Sequence, residues 1–216
     1  MASGLQIKPT NAPNTSFHVT SHGISDLKPF PTSQHKFELL QRFRQHLTPK
    51  LTVDASRRPH TKLFAEVCVL AYCILDNHIH IVLHQYTADG MRRLIQRVLG
   101  SYGRFINRDL KRRGAVFDGR YAAVEIEELH GADQIRNAIA YTLLNDPILQ
   151  LDNPHCSHGI LSGERNCDWI DRDQVLAIFG GWTEYRQYMN RRGPEIVSRK
   201  LKERGINPEL HPYRPI

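Results

Sequence analysis

The sequence predicts an α+β fold: an antiparallel sheet with helices on one face, followed by a small helical C-terminal segment. Three observations predict it. Apolar residues alternate or run together in short stretches at 16–24, 63–86 and 115–126, as strands require. They recur every three or four positions at 34–47, 89–112 and 131–145, as helices require. The resulting order is strand, helix, strand, strand, helix, strand, helix, and its first six elements form the split βαβ pattern of ferredoxin-like sheets. With 216 residues the chain has room for one full core at 16–150 and a helical extension with a basic tail at 151–216.

Residues 1–15 are rich in Pro, Asn, Thr and Ser and read as a flexible arm. Ser16 to Ile24 reads as a strand closed by a turn at Gly23. Pro29 and Pro31 punctuate the loop that follows. Phe37, Leu40, Phe43 and Leu47 then mark one face of an amphipathic helix over 34–47. Leu63 to Tyr86 is the β core, carrying Val67, Val69, Ile74, Ile79, Ile81, Val82 and Leu83. It is broken at Asp76-Asn77, whose tolerance of left-handed backbone suits a hairpin turn.

Over 89–112, Met91, Leu94, Ile95, Val98, Leu99, Tyr102, Phe105 and Ile106 fall within roughly 140° of helical arc. Arg93, Arg97, Arg104, Arg108 and Lys111 occupy a stripe about 60° wide on the opposite side. Gly114 reads as the end of this helix and Ala115 to Ile126 as one strand. A further helix spans about 131–145, stopped by Pro147. Trp169 to Asn190 holds one or two helices, and the basic, Pro-containing chain from Arg191 reads as extended.

Lys and Arg total 29 against 22 Asp and Glu, a formal charge of +7. That excess suits a polyanionic partner, since Lys and Arg release counterions from phosphates, although many basic proteins never touch nucleic acid. No secretory leader and no run of about 18 apolar residues is found, which excludes a membrane span. The expected location is the cytoplasm, with association to the nucleoid when DNA is bound. Cys68, Cys73, Cys156 and Cys167 form no CxxC pair and read as free thiols.

His78 and His80 lie two apart on a predicted strand, so both rings project from one face about 6.6 Å apart. Such a pair can hold a divalent metal; it equally suits sheet histidines with satisfied hydrogen bonds. His84 shares the face further along. Tyr141 and Asn145 sit one helical turn apart, turned away from the apolar stripe of Ile135, Ile139 and Leu143. A tyrosine ionises near pH 10, so as a nucleophile it needs a metal or base beside it; the alternative is an amphipathic tyrosine at the core edge. The basic stripe continues through Lys111, Arg112 and Arg113 to Arg120 and Tyr121. It reads as a phosphate-contacting surface or as a solvated face. His155, Cys156, His158 and Cys167 have zinc-compatible chemistry at a spacing that fits no standard zinc module.

Asn77-His78-Ile79-His80 resembles the HUH motif of the single-tyrosine transposases. Phe105-Ile106-Asn107-Arg108, Arg112-Arg113-Gly114 and Phe117-Asp118-Gly119-Arg120-Tyr121 resemble the following segment of the REP-associated tyrosine transposases. Tyr141-Thr142-Leu143-Leu144-Asn145-Asp146-Pro147 is similar to that group's nucleophile helix, Phe17 to Ser21 to its first strand, and Leu176 to Gly180 to its C-terminal helical segment. The likeness covers about 16–190. Leu75-Asp76 stands where relatives have Met-Pro, and Asp146 separates Asn145 from Pro147.

The resemblance implies an HUH nuclease domain with Mg²⁺ or Mn²⁺ on His78 and His80, and Asn145 as candidate third ligand. It implies that Tyr141 attacks single-stranded hairpin DNA, giving a 5′-phosphotyrosine intermediate and a free 3′-hydroxyl that permits rejoining, in a monomer or homodimer. Two other expectations stand beside it: a hairpin-binding protein of this fold without chemistry, and an unrelated metal-dependent phosphohydrolase.

Overall fold

The computed structural model describes residues 12–126 and 132–216. Most of the arm expected at 1–15, and Gly131 at the start of the third predicted helix, lie outside the described residues. The elements are β1 (Thr15–His22), α1 (Ser33–Leu47), β2 (Val67–Ile74), β3 (His78–Gln85), α2 (Gly90–Asp109), β4 (Ala122–Ile126), α3 (Ala132–Leu143), α4 (His158–Leu161), α5 (Arg172–Phe179) and α6 (Trp182–Glu203). The strands form one antiparallel sheet in the order β2-β3-β1-β4. This is the ferredoxin-like arrangement that the element order predicts.

Alternation divides the sheet into two chemically different faces. Phe17, Val19, Ile79, Ile81 and Leu83 are all buried, and α1 and α2 pack on their side. Phe43 of α1 reaches Tyr72 of β2 through the stacked indole of Trp169, and the Met91 amide of α2 donates to Gln85 Oε1 at 3.2 Å. The opposite face carries His18, Thr20 and His22 of β1 opposite Val82, His80 and His78 of β3. α3 covers this polar face, with α5 and α6 beyond it. Leu143, Leu176, Tyr185, Met189, Ile196, Val197 and Leu201 join the same buried cluster as the strands, so the C-terminal extension shares the core of the sheet.

Local chemistry sets the ends of the elements. Thr32 Oγ1 accepts from the His35 amide and caps α1. A Cβ on Gly90 would lie 2.6 Å from the Glu66 carbonyl, so only glycine lets α2 begin against that backbone. The β2–β3 hairpin turns at Asp76-Asn77 without left-handed residues there. Instead the Leu75 amide bonds the His78 carbonyl at 2.9 Å, while the Asp76 and Asn77 carbonyls accept from Phe30 and Gly23.

Three boundaries differ from expectation. Helix α2 ends at Asp109, where Lys111 takes the left-handed conformation (φ 50°) before Gly114 is reached. The strand expected over 115–126 is reduced to β4, because Gly119 (φ 60°) turns the chain after an isolated bridge between Phe117 and Gly23. The chain from Arg191, expected to be extended, continues α6 to Glu203 through Pro194. Only its last residues are extended, tied down where Asn190 bonds both the amide and the carbonyl of Ile216. No helix among the described residues is long and apolar enough to cross a membrane.

Candidate active site

The polar face of the sheet gathers four imidazoles. His78 and His80 project from β3 with ring centroids 5.1 Å apart, nearly perpendicular. His22 of β1 stacks on His78 at 4.9 Å, and His18 of β1 stacks on His80 at 5.1 Å. Burial drives the pKa values of three of them down, to about 4 for His18 and His78 and about 2 for His80. The neighbouring imidazoles and Lys200 push in the same direction. All three are therefore neutral near pH 7 and carry nitrogen lone pairs.

Hydrogen bonds set which lone pairs are presented. His78 Nδ1 donates to Asn77 Oδ1 at 2.8 Å, which leaves Nε2 as the acceptor. His18 Nε2 and His80 Nδ1 share a hydrogen bond of 3.0 Å. With the proton on His80 Nδ1, the Nε2 of His80 is also a lone pair.

Helix α3 lowers its C-terminal end onto this array. The Tyr141 ring stands edge-on to His18 at 6.0 Å and to His80 at 6.2 Å. It is half-buried, and burial raises its phenol above the ordinary pKa. Glu203 adds to that rise, whereas Arg199 and Arg204 oppose it. One turn on, Asn145 Nδ2 donates to His78 Nε2 at 3.1 Å. Asp146, the residue inserted before Pro147, caps the next turn by accepting from the Ile148 and Leu149 amides at 3.1 Å each. Asn145 is thus left facing the histidines.

The structure brings Tyr141, His78, His80 and Asn145 together, and adds groups that local spacing did not single out. His18 and His22 complete the imidazole array; their i, i+4 spacing on a predicted strand was the available signal. From α6, Lys200 Nζ donates to Asn145 Oδ1 and lies 3.4 Å from the centroid of the Tyr141 ring. Burial pulls this ammonium down to about 7. Arg204 Nη2 donates to the Asn145 carbonyl at 2.9 Å. No local pattern in the sequence marks these cations, because only the packing of α6 carries them to the site.

The donor atoms of a type that can bind a divalent cation here are His78 Nε2, His80 Nε2 and Asn145 Oδ1. The carbonyl oxygen of Asn145 is the atom of its amide that can ligate; here it accepts from Lys200, while the amide nitrogen donates to His78 Nε2 at 3.1 Å. Among the described residues no group of three or more His, Cys, Asp or Glu is placed to hold a metal.

The basic stripe lies elsewhere. Helix α2 covers the opposite face of the sheet, so its outer side points away from the imidazoles. Arg97, Arg104, Arg108, Lys111, Arg113 and Arg120 are exposed there and form no ion pair among the described residues. Arg93, one of the five cations of the stripe, is bound by Glu66, with further bonds to Thr87 and Ala88. Arg112 bonds Asn107 Oδ1 and the Ala115 carbonyl, both at 2.9 Å, and holds the turn after α2. Tyr121 is half-buried against the core.

His84 bonds Ser16 across the strands at 3.0 Å. The residues of zinc-compatible chemistry are dispersed: His155 bonds Ser33, His158 bonds Tyr185, and Cys156 faces Cys73 across an isolated bridge.

No family model matches the chain, and no curated protein matches it. Among solved structures, that of a REP-associated tyrosine transposase bound to a REP hairpin matches with a TM-score of 0.49 and 12% identity. The match covers 79% of this chain and 92% of that one.

Proposed function

We propose that this chain is a metal-dependent single-stranded DNA endonuclease and strand transferase that acts on hairpin DNA through a phosphotyrosine at Tyr141. The observation that carries this reading is the meeting of Tyr141 with His78, His80 and Asn145 on one face of the sheet. The HUH resemblance in the sequence supports the same roles.

In the proposed reaction the Tyr141 oxygen attacks the scissile phosphorus. The new P–O bond forms as the P–O3′ bond breaks, the phenol proton is lost, and the departing 3′-oxygen takes up a proton. The strand is then held as a 5′-phosphotyrosine ester, and attack by a 3′-hydroxyl reverses the step without ATP. His78, His80 and the Asn145 carbonyl oxygen would hold a divalent ion, which when bound would supply Lewis-acid charge to the phosphate. The protein's own contribution is orientation. Asn77 sets the tautomer of His78, His18 shares a hydrogen bond with His80 Nδ1, and α3 carries the Tyr141 ring to the imidazoles. Arg97, Arg104 and Arg108 lie too far round the fold to act in this step; in this reading they hold DNA backbone outside the cleavage site.

The test is incubation of the full chain with a library of hairpin single strands and Mn²⁺, with mass-spectrometric mapping of the modified residue. A covalent adduct on Tyr141, absent from Tyr141→Phe, is expected. DNA binding with no adduct would identify a binding protein of this fold. Cleavage that survives Tyr141→Phe would identify a phosphohydrolase.

A further inference from the structure

Lys200 is a lysine buried against the candidate site. It is only 3% exposed, and among the described residues it forms no ion pair. A lysine needed only for packing would be better replaced by an apolar chain of similar length, since burial of an uncompensated charge is costly. Among the described residues its hydrogen bond and its ring contact are both with candidate site residues: the Asn145 Oδ1 to which it donates, and the face of the Tyr141 ring. Capping the C-terminal end of α3 is the work of its neighbour Arg204, which bonds the Asn145 backbone carbonyl. Lys200 touches side chains instead. Arg199 flanks the same ring, with Cζ 5.5 Å from its centroid.

We propose that Lys200 is a positioning residue of the cleavage site: its ammonium seats the face of the Tyr141 ring and holds the Asn145 amide against His78. The inference rests on the reading of Tyr141 as nucleophile and Asn145 as ligand. It makes the C-terminal extension part of the site, because one side chain from α6 touches both the Tyr141 ring and the Asn145 amide. A cation over an aromatic face restrains the ring without covering its hydroxyl edge, and the same ring lies T-shaped to His18 and His80.

The experiment compares Lys200→Met and Lys200→Arg in the full chain with ring-¹³C-labelled tyrosine, the Tyr141 signal being assigned with Tyr141→Phe. Lys200→Met is expected to shift and broaden the Tyr141 ring signal. It should also slow single-turnover adduct formation on a saturating hairpin oligonucleotide at least tenfold, with DNA affinity unchanged within twofold. Lys200→Arg, which keeps the charge, should restore the rate to within threefold of the parent. An unmoved ring signal in a folded Lys200→Met protein, or a rate that does not change, overturns the proposal. If the methionine variant does not fold, Lys200→Gln is read in the same way. A parent that forms no adduct defeats the cleavage reading alone, since the ring signal still reports whether Lys200 seats Tyr141.

Discussion

Asn77 holds His78 in the tautomer that presents Nε2, and the cost of losing that hold can be measured. Removal of an outer partner of a metal-ligating histidine typically weakens metal affinity by about 10–100-fold. Asn77→Ala should therefore weaken Mn²⁺ binding by that factor in a calorimetric titration; unchanged affinity would show that His78 is oriented by the sheet alone. The imidazoles also make stability depend on pH. His18, His78 and His80 have folded pKa values below the ordinary 6.5, chiefly through burial. The unfolded chain binds protons first as pH falls, so their contribution is complete above about 6.5 and is lost progressively towards 4. Each imidazole adds a slope of up to about 1.4 kcal/mol per pH unit in that window. Urea midpoints between pH 7.5 and 4.5 should fall steeply; a flat series would contradict the neutral cluster.

Helix α2 shows how far periodicity can be trusted at the scale of an element. Its apolar and basic faces are where the 100° rule puts them, with Met91, Leu94, Ile95, Val98, Tyr102 and Ile106 buried. Partnership is invisible to that rule, since the carboxylate that binds Arg93 comes from Glu66, in the segment before β2. Replacing Arg97 and Arg104 by Ala should flatten the salt dependence of single-strand binding by about 0.7 in slope for each phosphate left without its cation. Arg93→Ala should cost about 1 kcal/mol of stability or less, since its ion pair is partly exposed. Fluorescence anisotropy over a salt series, with parallel denaturant melts, separates the two. In α6 the helix runs further than Pro194 and its basic surroundings suggest. Met189, Gly193, Ile196, Val197, Lys200 and Leu201 are buried at helical spacing on both sides of that proline. A Cβ on Gly193 would lie 2.3 Å from the Tyr213 ring, so Gly193→Ala should lift the C-terminal strap and expose it to carboxypeptidase. An equally resistant tail would show that Tyr213 does not anchor it.

At the scale of the whole molecule, one buried cluster runs from Phe17 in β1 to Leu201 in α6. Leu201 is fully buried near the end of the last helix. Leu201→Ala should cost about 2–5 kcal/mol, and β-sheet and helix signals should melt together. Separate transitions would mean that the extension folds apart from the sheet. The two faces of the sheet also divide the labour. One face is apolar and packs α1 and α2, with Arg97, Arg104 and Arg108 exposed on the outer side of α2. The other carries the imidazoles and receives α3 and α6.

Element order, the amphipathic faces, the shared face of His78 and His80, and the one-turn spacing of Tyr141 and Asn145 could all be read from local spacing. Each depends only on backbone periodicity, which is a property of neighbouring residues. That α3 packs on the imidazole side, that His18 and His22 join the array, and that Lys200 lies beneath Tyr141 depended on long-range packing. These contacts bridge separations such as the 55 residues between Asn145 and Lys200. No local pattern encodes them, because burial of apolar surface against distant elements chose the partners.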